Sequence, residues 1–420
     1  QSYLRAVPLL QGTDLDGASP PSVFVGRIGY PYVYAGPLVP PVHEDTSLYD
    51  LPELWFGKTI EEIVGFRSML IRGKHRVHVR KFDEAGKIIE NVVGTIPIPI
   101  GIATDFVIND KKFLVPMATE QSSIIRGASN AAKWALHAGG FKAYTTRSIM
   151  IGQIQVLRIN NYARARSRIL ANRQKILLLA NTQSSTRKAV DIRVREFRFP
   201  SMLLVELLVD VKDSMGANVV NSMCETVAPL IESITKGKTL LRVVSNLATE
   251  RMVRVETTVM KDLIGGEEVA DRILNACAFA EKDSFRAATH NKGILNGVSA
   301  VLLAVGNDVR AVEAGAHAFA SMSGRYCPLS FWRKNSNDDL GGVLEMPMAV
   351  GIIGGAISSL PVAKICLKIL GVRKAAELGE VAASVGLACN LFALYSLVTK
   401  SNASGSKREM PNSSYVEDKF

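Results

Sequence analysis

The residues best suited to chemistry lie together in one stretch of the sequence, from Asp283 to Ala320. Two charged groups stand out there, Lys292 and Asp308. A lysine ammonium held by a carboxylate can stabilise a carbonyl oxygen that gains negative charge during a reaction. A plain salt bridge is the more common reason for such a pair, so the residues alone leave both interpretations open.

The elements around these two groups are expected to hold them at corners of the fold. Val298–Val305 is an uncharged apolar run bounded by glycines, which predicts a buried strand. Asn307 or Asp308 can cap a following alanine-rich helix, Ala311–Met322. Lys292 is then predicted to lie buried on a glycine-flanked turn, and Asp308 at a strand-to-helix corner.

Composition and charge narrow the class of protein. The chain has 420 residues, 47% of them hydrophobic, which predicts a globular protein of two or three domains. The formal net charge of +11 suits an anionic ligand, whether a small molecule or a nucleic acid. The five cysteines are widely spaced without a CxxC pair, which favours a reducing compartment and argues against disulfides or zinc. We therefore expect no metal site.

No stretch of the sequence predicts a membrane span or a signal peptide. The most apolar segments, near 346–372 and 381–398, contain Pro, Lys, Asn or Glu, or fall short of about 18 apolar residues in a row. We interpret them as buried elements, including helices at Leu360–Leu370 and Ala375–Val398. The expected location is the cytoplasm, without membrane contact.

The chain before the middle predicts a hairpin and a helix. Residues 106–108 and 112–115 flank an Asn-Asp pair, which predicts two strands joined by a tight turn. Ser122 or Ser123 can then cap a helix over Ile124–Ala138.

The middle of the chain predicts an antiparallel sheet covered by helices. Strands are expected at Val190–Phe197, Leu203–Val211 and Thr239–Val244, and helices at Asn161–Leu179 and Ala217–Thr235. The second helix begins at the motif DSMGAN, residues 213–218, where backbone amides could bind an anion. The chain has no GxGxxG dinucleotide fingerprint, so this turn by itself does not identify the ligand.

Residues 1–88 differ from the rest in being rich in Pro, Gly and aromatic residues. The motifs SPPSVFVGRIGYPYVYAGPLVPP at 19–41 and RGKHRVHVRKF at 72–82 resemble the archaeal Nre proteins associated with DNA repair. That family carries a cysteine-rich zinc module before these motifs, and this sequence has none there. The resemblance implies that nucleic acid, if bound, is bound only through residues 1–88. The alternative is a solvated basic strand.

Several longer motifs resemble the class II 3-hydroxy-3-methylglutaryl-coenzyme A (HMG-CoA) reductases, over roughly residues 88–399. They are VPMATE at 115–120, DSMGANVVN at 213–221, ATHNKG at 288–293, GND at 306–308, RAVEAGAHAFA at 310–320 and LEMPMAVGIIGGA at 344–356.

The resemblance implies an α+β fold with a discontinuous large substrate domain of mixed helices and strands. That domain comprises residues 89–146 and 251–399, with a small antiparallel-sheet cofactor domain, 147–250, inserted in it. An irregular Pro/Gly-rich segment, 1–88, precedes it. The polar residues 400–420 predict a disordered tail.

The activity implied is the interconversion of HMG-CoA with mevalonate and coenzyme A, by two hydride transfers with NADPH or NADH. Lys292 matches the lysine that stabilises the oxyanion, and Asp308 the aspartate that orients it. Arg286, Ser123 and Asn296 match positions that hold the acyl group or support the site. Such a protein belongs to isoprenoid metabolism and is expected to be a homodimer whose active site is shared between subunits.

The sequence departs from the family at two catalytic positions. Gln121 stands where the family has a catalytic glutamate, and Glu120 beside it is the candidate substitute. The family's catalytic histidine is absent, since no histidine follows His317. Loss of one general acid typically costs on the order of 10²–10⁴ in rate. A catalytically impaired protein that binds coenzyme A esters or dinucleotide is therefore the second hypothesis, and a nucleic-acid-associated module the third.

The resemblance also assigns the cofactor residues. Asp213, Met215, Gly216 and Asn218 belong to the turn expected to bind the dinucleotide. NADH-preferring members carry an aspartate near the position of Ser184, which here is followed by Arg187 and Lys188. Cations in place of an acid accommodate a 2′-phosphate, so NADPH is favoured over NADH. Ordinary surface charge is the alternative.

Overall fold

A computed structural model describes residues 96–199 and 201–400 of the chain. The expectations for residues 1–88 and for the tail after residue 400 lie outside this part. Ten strands fall in two sheets. They are β1 (Ile100–Ile108), β2 (Lys111–Ala118), β3 (Phe141–Thr145), β4 (Ile149–Leu157), β5 (Lys188–Arg198), β6 (Ser201–Asp210), β7 (Lys238–Val244), β8 (Met252–Val259), β9 (Ser330–Lys334) and β10 (Leu340–Pro347).

Nine α-helices are described, in addition to short 3₁₀ turns. They are α1 (Ser122–Leu136), α2 (Tyr162–Ala171), α3 (Arg173–Ala180), α4 (Ala217–Thr235), α5 (Glu267–Lys282), α6 (Ser284–Ala304), α7 (Val309–Ala320), α8 (Pro361–Leu370) and α9 (Ala375–Lys400). Together with the two sheets they form the α+β fold that was predicted.

The larger sheet has six strands in the order β2-β1-β3-β8-β10-β9. Its first two strands form the predicted antiparallel hairpin, and the turn residues Asn109 and Asp110 both adopt positive φ angles, as Asn and Asp do most readily. Helix α1 follows the hairpin, but neither predicted serine caps it. Gln121 is the residue that precedes the helix, and Ser123 lies inside its first turn.

Helices α6 and α9 cross in the core against this sheet. A Cβ atom added to Gly297 would lie 2.8 Å from the carbonyl oxygen of Val385, and one added to Gly386 would lie 2.7 Å from Val298. These glycines therefore allow the two backbones to approach closely. Within the described residues, one helix, Ala375–Thr399, is long and apolar enough to cross a membrane, and 67% of its most apolar window is buried in the protein. Such burial is typical of a core helix.

The smaller sheet has four antiparallel strands in the order β5-β6-β4-β7. The strands predicted within residues 190–244 are confirmed, as is α4. A second hydrophobic core lies between this sheet and helices α2, α3 and α4, with residues such as Met150, Val205 and Ile231 fully buried. The single basic helix predicted over Asn161–Leu179 was wrong. The chain breaks at Asn172, whose backbone leaves the helical region between α2 and α3.

The prediction for the central stretch was wrong in its secondary structure. Val298–Val305 is not a strand, because it forms most of the last two turns of the 21-residue helix α6. Helix α6 packs against β2 on one side and α9 on another, so apolar residues occupy most of the helix circumference. The run therefore shows no helical periodicity in its hydrophobic residues. Lys292 consequently lies in mid-helix rather than on a turn, and it is exposed rather than buried.

Candidate functional site

Asp308 stands at a helix start, as predicted, although the element before it is a helix and not a strand. One carboxylate oxygen, Oδ1, accepts a hydrogen bond from the backbone N–H of Ala311 at 3.1 Å. This cap fixes the side chain at the beginning of α7. The residue is exposed, so its other oxygen can face a ligand or a second chain.

Lys292 and Asp308 do not meet within one chain. Ala304, the last residue of α6, follows Lys292 by twelve positions (304 − 292), or about 18 Å along a helix axis. The backbone N–H of Asn307 donates to the carbonyl of Leu302, which keeps Asp308 beside the far end of α6. The separation exceeds the reach of a lysine side chain. Accordingly, no ion pair joins these two residues in the described part of the chain.

The face of α6 that carries Lys292 is open to solvent. Phe285, at the start of the helix, is 88% exposed, and Leu303, near its end, is 44% exposed. Asn296 lies one turn beyond Lys292 on the same side, because residues four apart share a helix face. A buried helix that leaves two large apolar side chains exposed on one stripe presents a surface suited to another protein surface.

Arg286 and His290 lie elsewhere on α6. The backbone N–H of Arg286 donates to the capping carboxylate of Asp283 at 2.9 Å. His290 is buried on the side of the helix opposite Lys292, since residues two apart point to opposite faces. Its ring nitrogen Nε2 lies 2.7 Å from Ser330 Oγ and 3.1 Å from Asn390 Nδ2. The histidine therefore anchors the helix and does not face the exposed stripe.

Asn307, the residue before Asp308, holds a distant part of the chain. Its Nδ2 donates to the carbonyl oxygen of Gly351 at 3.0 Å, and the N–H of Gly351 donates to Asn307 Oδ1 at 2.8 Å. Gly351 in turn packs on the 213–218 turn, where a Cβ atom at Gly351 would lie 2.6 Å from the backbone nitrogen of Met215. Asp308 is thereby connected to the turn predicted to bind the dinucleotide.

That turn, residues 213–218 and hereafter the nucleotide turn, has the features of an anion site. Gly216 precedes α4 with a φ of 93°, a conformation that glycine adopts without strain, and an added Cβ would collide with Val211. No side chain caps α4, and its first turn contains no acidic residue. The free N–H groups at the start of a 19-residue helix suit a phosphate, so the residues present fit an anionic dinucleotide.

The two sequence segments predicted to bind the cofactor lie together. Arg187 Nε donates to Ser214 Oγ at 3.1 Å, which brings the loop around Ser184 to the nucleotide turn. Ser184 Oγ accepts hydrogen bonds from the backbone N–H groups of Thr186 and Arg187, so it shapes this loop. A guanidinium group therefore stands beside the start of α4.

The nucleotide turn also contacts the rest of the molecule through Asp213 and Arg251. Asp213 Oδ1 accepts a hydrogen bond at 2.9 Å from the N–H of Ala375, so this oxygen caps α9. The guanidinium of Arg251 is buried and donates to the carbonyl oxygen of Ser214 at 3.1 Å and to that of Val350. Burial lowers the pKa of Arg251 to about 10, which still leaves it charged at neutral pH.

Glu120, Gln121 and Ser123 form a separate group at the start of α1, and all three are exposed. The N–H of Gln121 donates to Thr119 Oγ1 at 3.2 Å, which fixes the backbone just before the helix. Within one chain these residues are not hydrogen-bonded to Lys292 or Asp308. Their predicted catalytic and substrate-binding roles stay predictions.

Sequence reasoning missed the structural parts played by Asn307, Gly351 and Arg251. Asn307 was noted only as a possible helix cap, and Gly351 only as part of an apolar, glycine-rich motif. The glycine was the available signal, because a glycine between bulky apolar residues often marks a close backbone approach. Its partner could not be inferred, since 44 positions separate Asn307 from Gly351.

Comparisons with known proteins give a consistent result over most of the chain. Residues 68–408 match the family described as Hydroxymethylglutaryl-coenzyme A reductase. The chain is 50% identical over 325 residues to the 3-hydroxy-3-methylglutaryl-coenzyme A reductase of Archaeoglobus fulgidus, a match covering 76% of this chain and 74% of that protein. It is 33% identical over 322 residues to the probable enzyme of the same name from Borreliella burgdorferi, covering 74% and 73%.

Solved structures agree with the sequence matches. The class II 3-hydroxy-3-methylglutaryl-CoA reductase from Streptococcus pneumoniae bound to NADPH superimposes with a TM-score of 0.74 at 35% identity, covering 81% of this chain and 87% of that one. A second structure of the Streptococcus pneumoniae reductase gives a TM-score of 0.73 at 34% identity, covering 82% and 99%.

The beginning of the chain matches a different family. Residues 2–113 match the family described as Archaeal Nre, N-terminal, so the two matches overlap at 68–113. The chain is 42% identical over 90 residues to the DNA repair protein NreB of Archaeoglobus fulgidus, covering 21% of this chain and 23% of that protein. The match to NreA covers 17% of that protein. Each match thus spans less than a quarter of the relative's length.

Proposed function

Because the chain belongs to the hydroxymethylglutaryl-coenzyme A reductase family, we propose that it interconverts HMG-CoA with mevalonate and coenzyme A, using NADPH. The observation that supports the proposal is the connection of Asp308, through Asn307 and Gly351, to a helix start with the features of a phosphate site. An acyl group at Asp308 and a dinucleotide on the nucleotide turn would therefore be neighbours. The cytoplasm is the proposed location.

The working unit is a dimer in this proposal. Lys292 and Asp308 are both exposed, and they lie too far apart to pair within one chain. Two copies that pack through the exposed stripe of α6 would bring Lys292 of one chain to Asp308 of the other. Burial of Phe285 and Leu303 at that interface would supply part of the association energy, at about 25 cal/mol per Å² of apolar surface.

The residues then divide the chemistry as follows. The ammonium group of Lys292 stabilises the oxyanion that forms on the thioester carbonyl, and the carboxylate of Asp308 holds that ammonium in place. Arg286, Asn296 and Ser123 bind the acyl group. The bound dinucleotide supplies the hydride. The free amides at the start of α4 and the guanidinium of Arg187 hold its phosphates.

Proton transfer is the step for which this chain has the least suitable side chain. Gln121 occupies the position of the family's glutamate, and an amide can donate a hydrogen bond but cannot deliver a proton at neutral pH. Glu120 is the nearest carboxyl group in the sequence, and it is exposed at the start of α1. We propose that Glu120 partly substitutes, which implies a slow enzyme.

A spectrophotometric assay tests the function. Purified full-length protein is given HMG-CoA with NADPH or NADH, and oxidation of the nicotinamide is followed. We expect turnover that Lys292→Ala abolishes, with Lys282→Ala as a control because Lys282 is an exposed lysine at the end of α5. Turnover that survives Lys292→Ala would refute the assigned mechanism. Binding of both ligands by calorimetry without any turnover would identify the impaired binding protein instead.

The match of residues 2–113 favours a second, separate candidate for the beginning of the chain. We propose that residues 1–88 contact nucleic acid. Basic side chains that neutralise phosphates give binding that weakens steeply with salt. Duplex DNA binding by the full chain at low salt, lost on deletion of residues 1–88, would support this role. Equal binding by the deleted chain would exclude it.

A further inference from the structure

We propose that Asn307 is a positioning residue, which sets the distance between the carboxylate of Asp308 and the nucleotide turn. The inference rests on the proposed function, because it concerns the alignment of acyl group and dinucleotide. Asn307 itself takes no direct part in the chemistry of that reaction.

Asn307 makes a two-bond clamp on the backbone. Its amide donates to the carbonyl of Gly351 and accepts from the N–H of the same residue, at 3.0 and 2.8 Å. A pair of hydrogen bonds to one residue fixes orientation as well as distance. Asp308 follows Asn307 directly, and its own side chain caps α7. The start of α7 is therefore rigidly attached to the segment that contains Gly351.

That segment, residues 348–353, runs along the nucleotide turn. The N–H of Ile352 donates to the carbonyl of Asp213 at 2.9 Å, and Ser214 forms a parallel bridge with Ile353. Gly351 lies against the backbone of Met215 so closely that any Cβ atom would collide with it. A shift of Gly351 must consequently shift the turn.

The buried side chain of Arg251 holds the same turn and segment together. Its guanidinium donates to Ser214 of the turn and to Val350 of the neighbouring segment. This contact joins the segment to the turn but does not reach α7. Asn307 is thus a side chain that connects the segment, and through it the turn, directly to the residue before Asp308.

The chemical consequence follows from geometry. A hydride must pass from the nicotinamide to a carbon held beside Asp308, and misplacement by about 1 Å can cost on the order of 100-fold in rate. Removal of the Asn307 side chain leaves the binding contacts of both ligands in place but frees the turn from α7. Hydride transfer should therefore fall while the affinities for both ligands stay nearly constant.

The experiment compares Asn307→Ala with Asn109→Ala in the full chain. Asn109 is a useful control because it makes the same two-bond clamp, on Ala143, with both hydrogen bonds at 2.9 Å, from the turn between β1 and β2. In Asn307→Ala we expect hydrogen exchange at residues 214–217 to accelerate about tenfold. We expect hydride transfer to fall about 10- to 100-fold, with a larger isotope effect from deuterated NADPH and affinities changed by less than about threefold.

Asn109→Ala should lose at least as much thermal stability as Asn307→Ala, because alanine also disfavours the positive φ at residue 109, but it should show neither change. Equal exchange at 214–217 in both variants, or an equal loss of hydride transfer, would overturn the proposal. If the wild-type chain does not reduce HMG-CoA, the proposed function fails, but the exchange measurement still decides whether Asn307 holds the turn.

Gly351→Ala is a second test, because it displaces the turn while the side chain of residue 307 is unchanged. In the double variant, hydrogen exchange at 214–217 should accelerate by less than the product of the two single-variant accelerations, because both substitutions act on the same contact.

Discussion

In the interior of the protein, Nε2 of His290 lies 2.7 Å from the hydroxyl oxygen of Ser330. Asn390 completes the group, since its Oδ1 accepts from Ser330 at 2.9 Å and from Trp332 at 2.8 Å. These residues join α6, β9 and α9 through polar contacts within an apolar core. The helix that carries Lys292 is therefore fixed on its inner side by a group that can take up a proton.

The first prediction is a loss of stability in mild acid. Burial lowers the pKa of His290 to about 4, with a smaller contribution from the charge of Arg286, against 6.5 for an ordinary histidine. The unfolded chain then binds this proton below about pH 6.5, and the folded chain only near pH 4. The free energy of unfolding should fall by up to about 3 kcal/mol over that window.

Urea unfolding at pH 7 and pH 4.5 checks this, with His290→Asn as the comparison. The variant lacks the titrating ring, so it should lose less stability between the two pH values than the wild type. An identical loss in both proteins would contradict the assignment.

The second prediction concerns mixed dimers. Lys292→Met and Asp308→Asn should each be inactive, and the asparagine retains an oxygen that can cap α7. If each site takes its lysine from one chain and its aspartate from the other, half of the randomly mixed dimers contain one intact site of two. Mixing the variants should then restore about a quarter of wild-type activity. Sites built within single chains would give no recovery.

The third prediction uses two glycines of the same helix. Gly297→Ala places a methyl group 2.8 Å from the carbonyl oxygen of Val385 and 2.7 Å from the sulfur of Cys389, so it should destabilise by about 1–3 kcal/mol or more. Gly293→Ala meets only the Cβ of Ala393, at 3.8 Å, and should be neutral or stabilising by up to about 1 kcal/mol. Chemical denaturation measures both, and equal stabilities would contradict the close helix crossing.

The fourth prediction restores a proton donor. Gln121→Glu should raise turnover by on the order of 10²-fold, because a carboxyl group can deliver a proton that an amide cannot. Steady-state rates at neutral pH provide the measurement. Glu120→Gln is the matched variant, and it should lower the activity of the wild type but not that of Gln121→Glu. No response to either change would remove this position from the mechanism.

The fifth prediction addresses the choice of dinucleotide. Arg187→Ala removes the guanidinium beside Ser214 and should raise the KM for NADPH about tenfold more than the KM for NADH. Lys188→Ala tests the second cation of this loop, which is exposed and whose Nζ donates to the carbonyl oxygen of Ser184 at 3.3 Å. An equal effect of both substitutions on the two cofactors would favour ordinary surface charge.

Local pattern was sufficient for much of the fold. Apolar and polar residues alternate in β5, while β6 is almost continuously apolar, and turn residues flank both strands. Helix α4 has one apolar stripe. The types and approximate bounds of these elements could therefore be predicted. Helix α6 could not, because it is surrounded by apolar neighbours and its last turns lack periodicity. The candidate site residues were predicted by resemblance. Their arrangement depends on contacts such as Asn307 with Gly351, which no local pattern encodes.

The nucleotide turn serves two helices at once, because Asp213 caps α9 and Gly216 begins α4. A change in these residues would weaken the architecture together with the proposed binding of the dinucleotide. The loop around Ser184 is less constrained by packing, because the side chains of Ser185 and Thr186 are exposed. Adaptation to a different dinucleotide is therefore expected to proceed through this loop, while the turn itself stays unchanged.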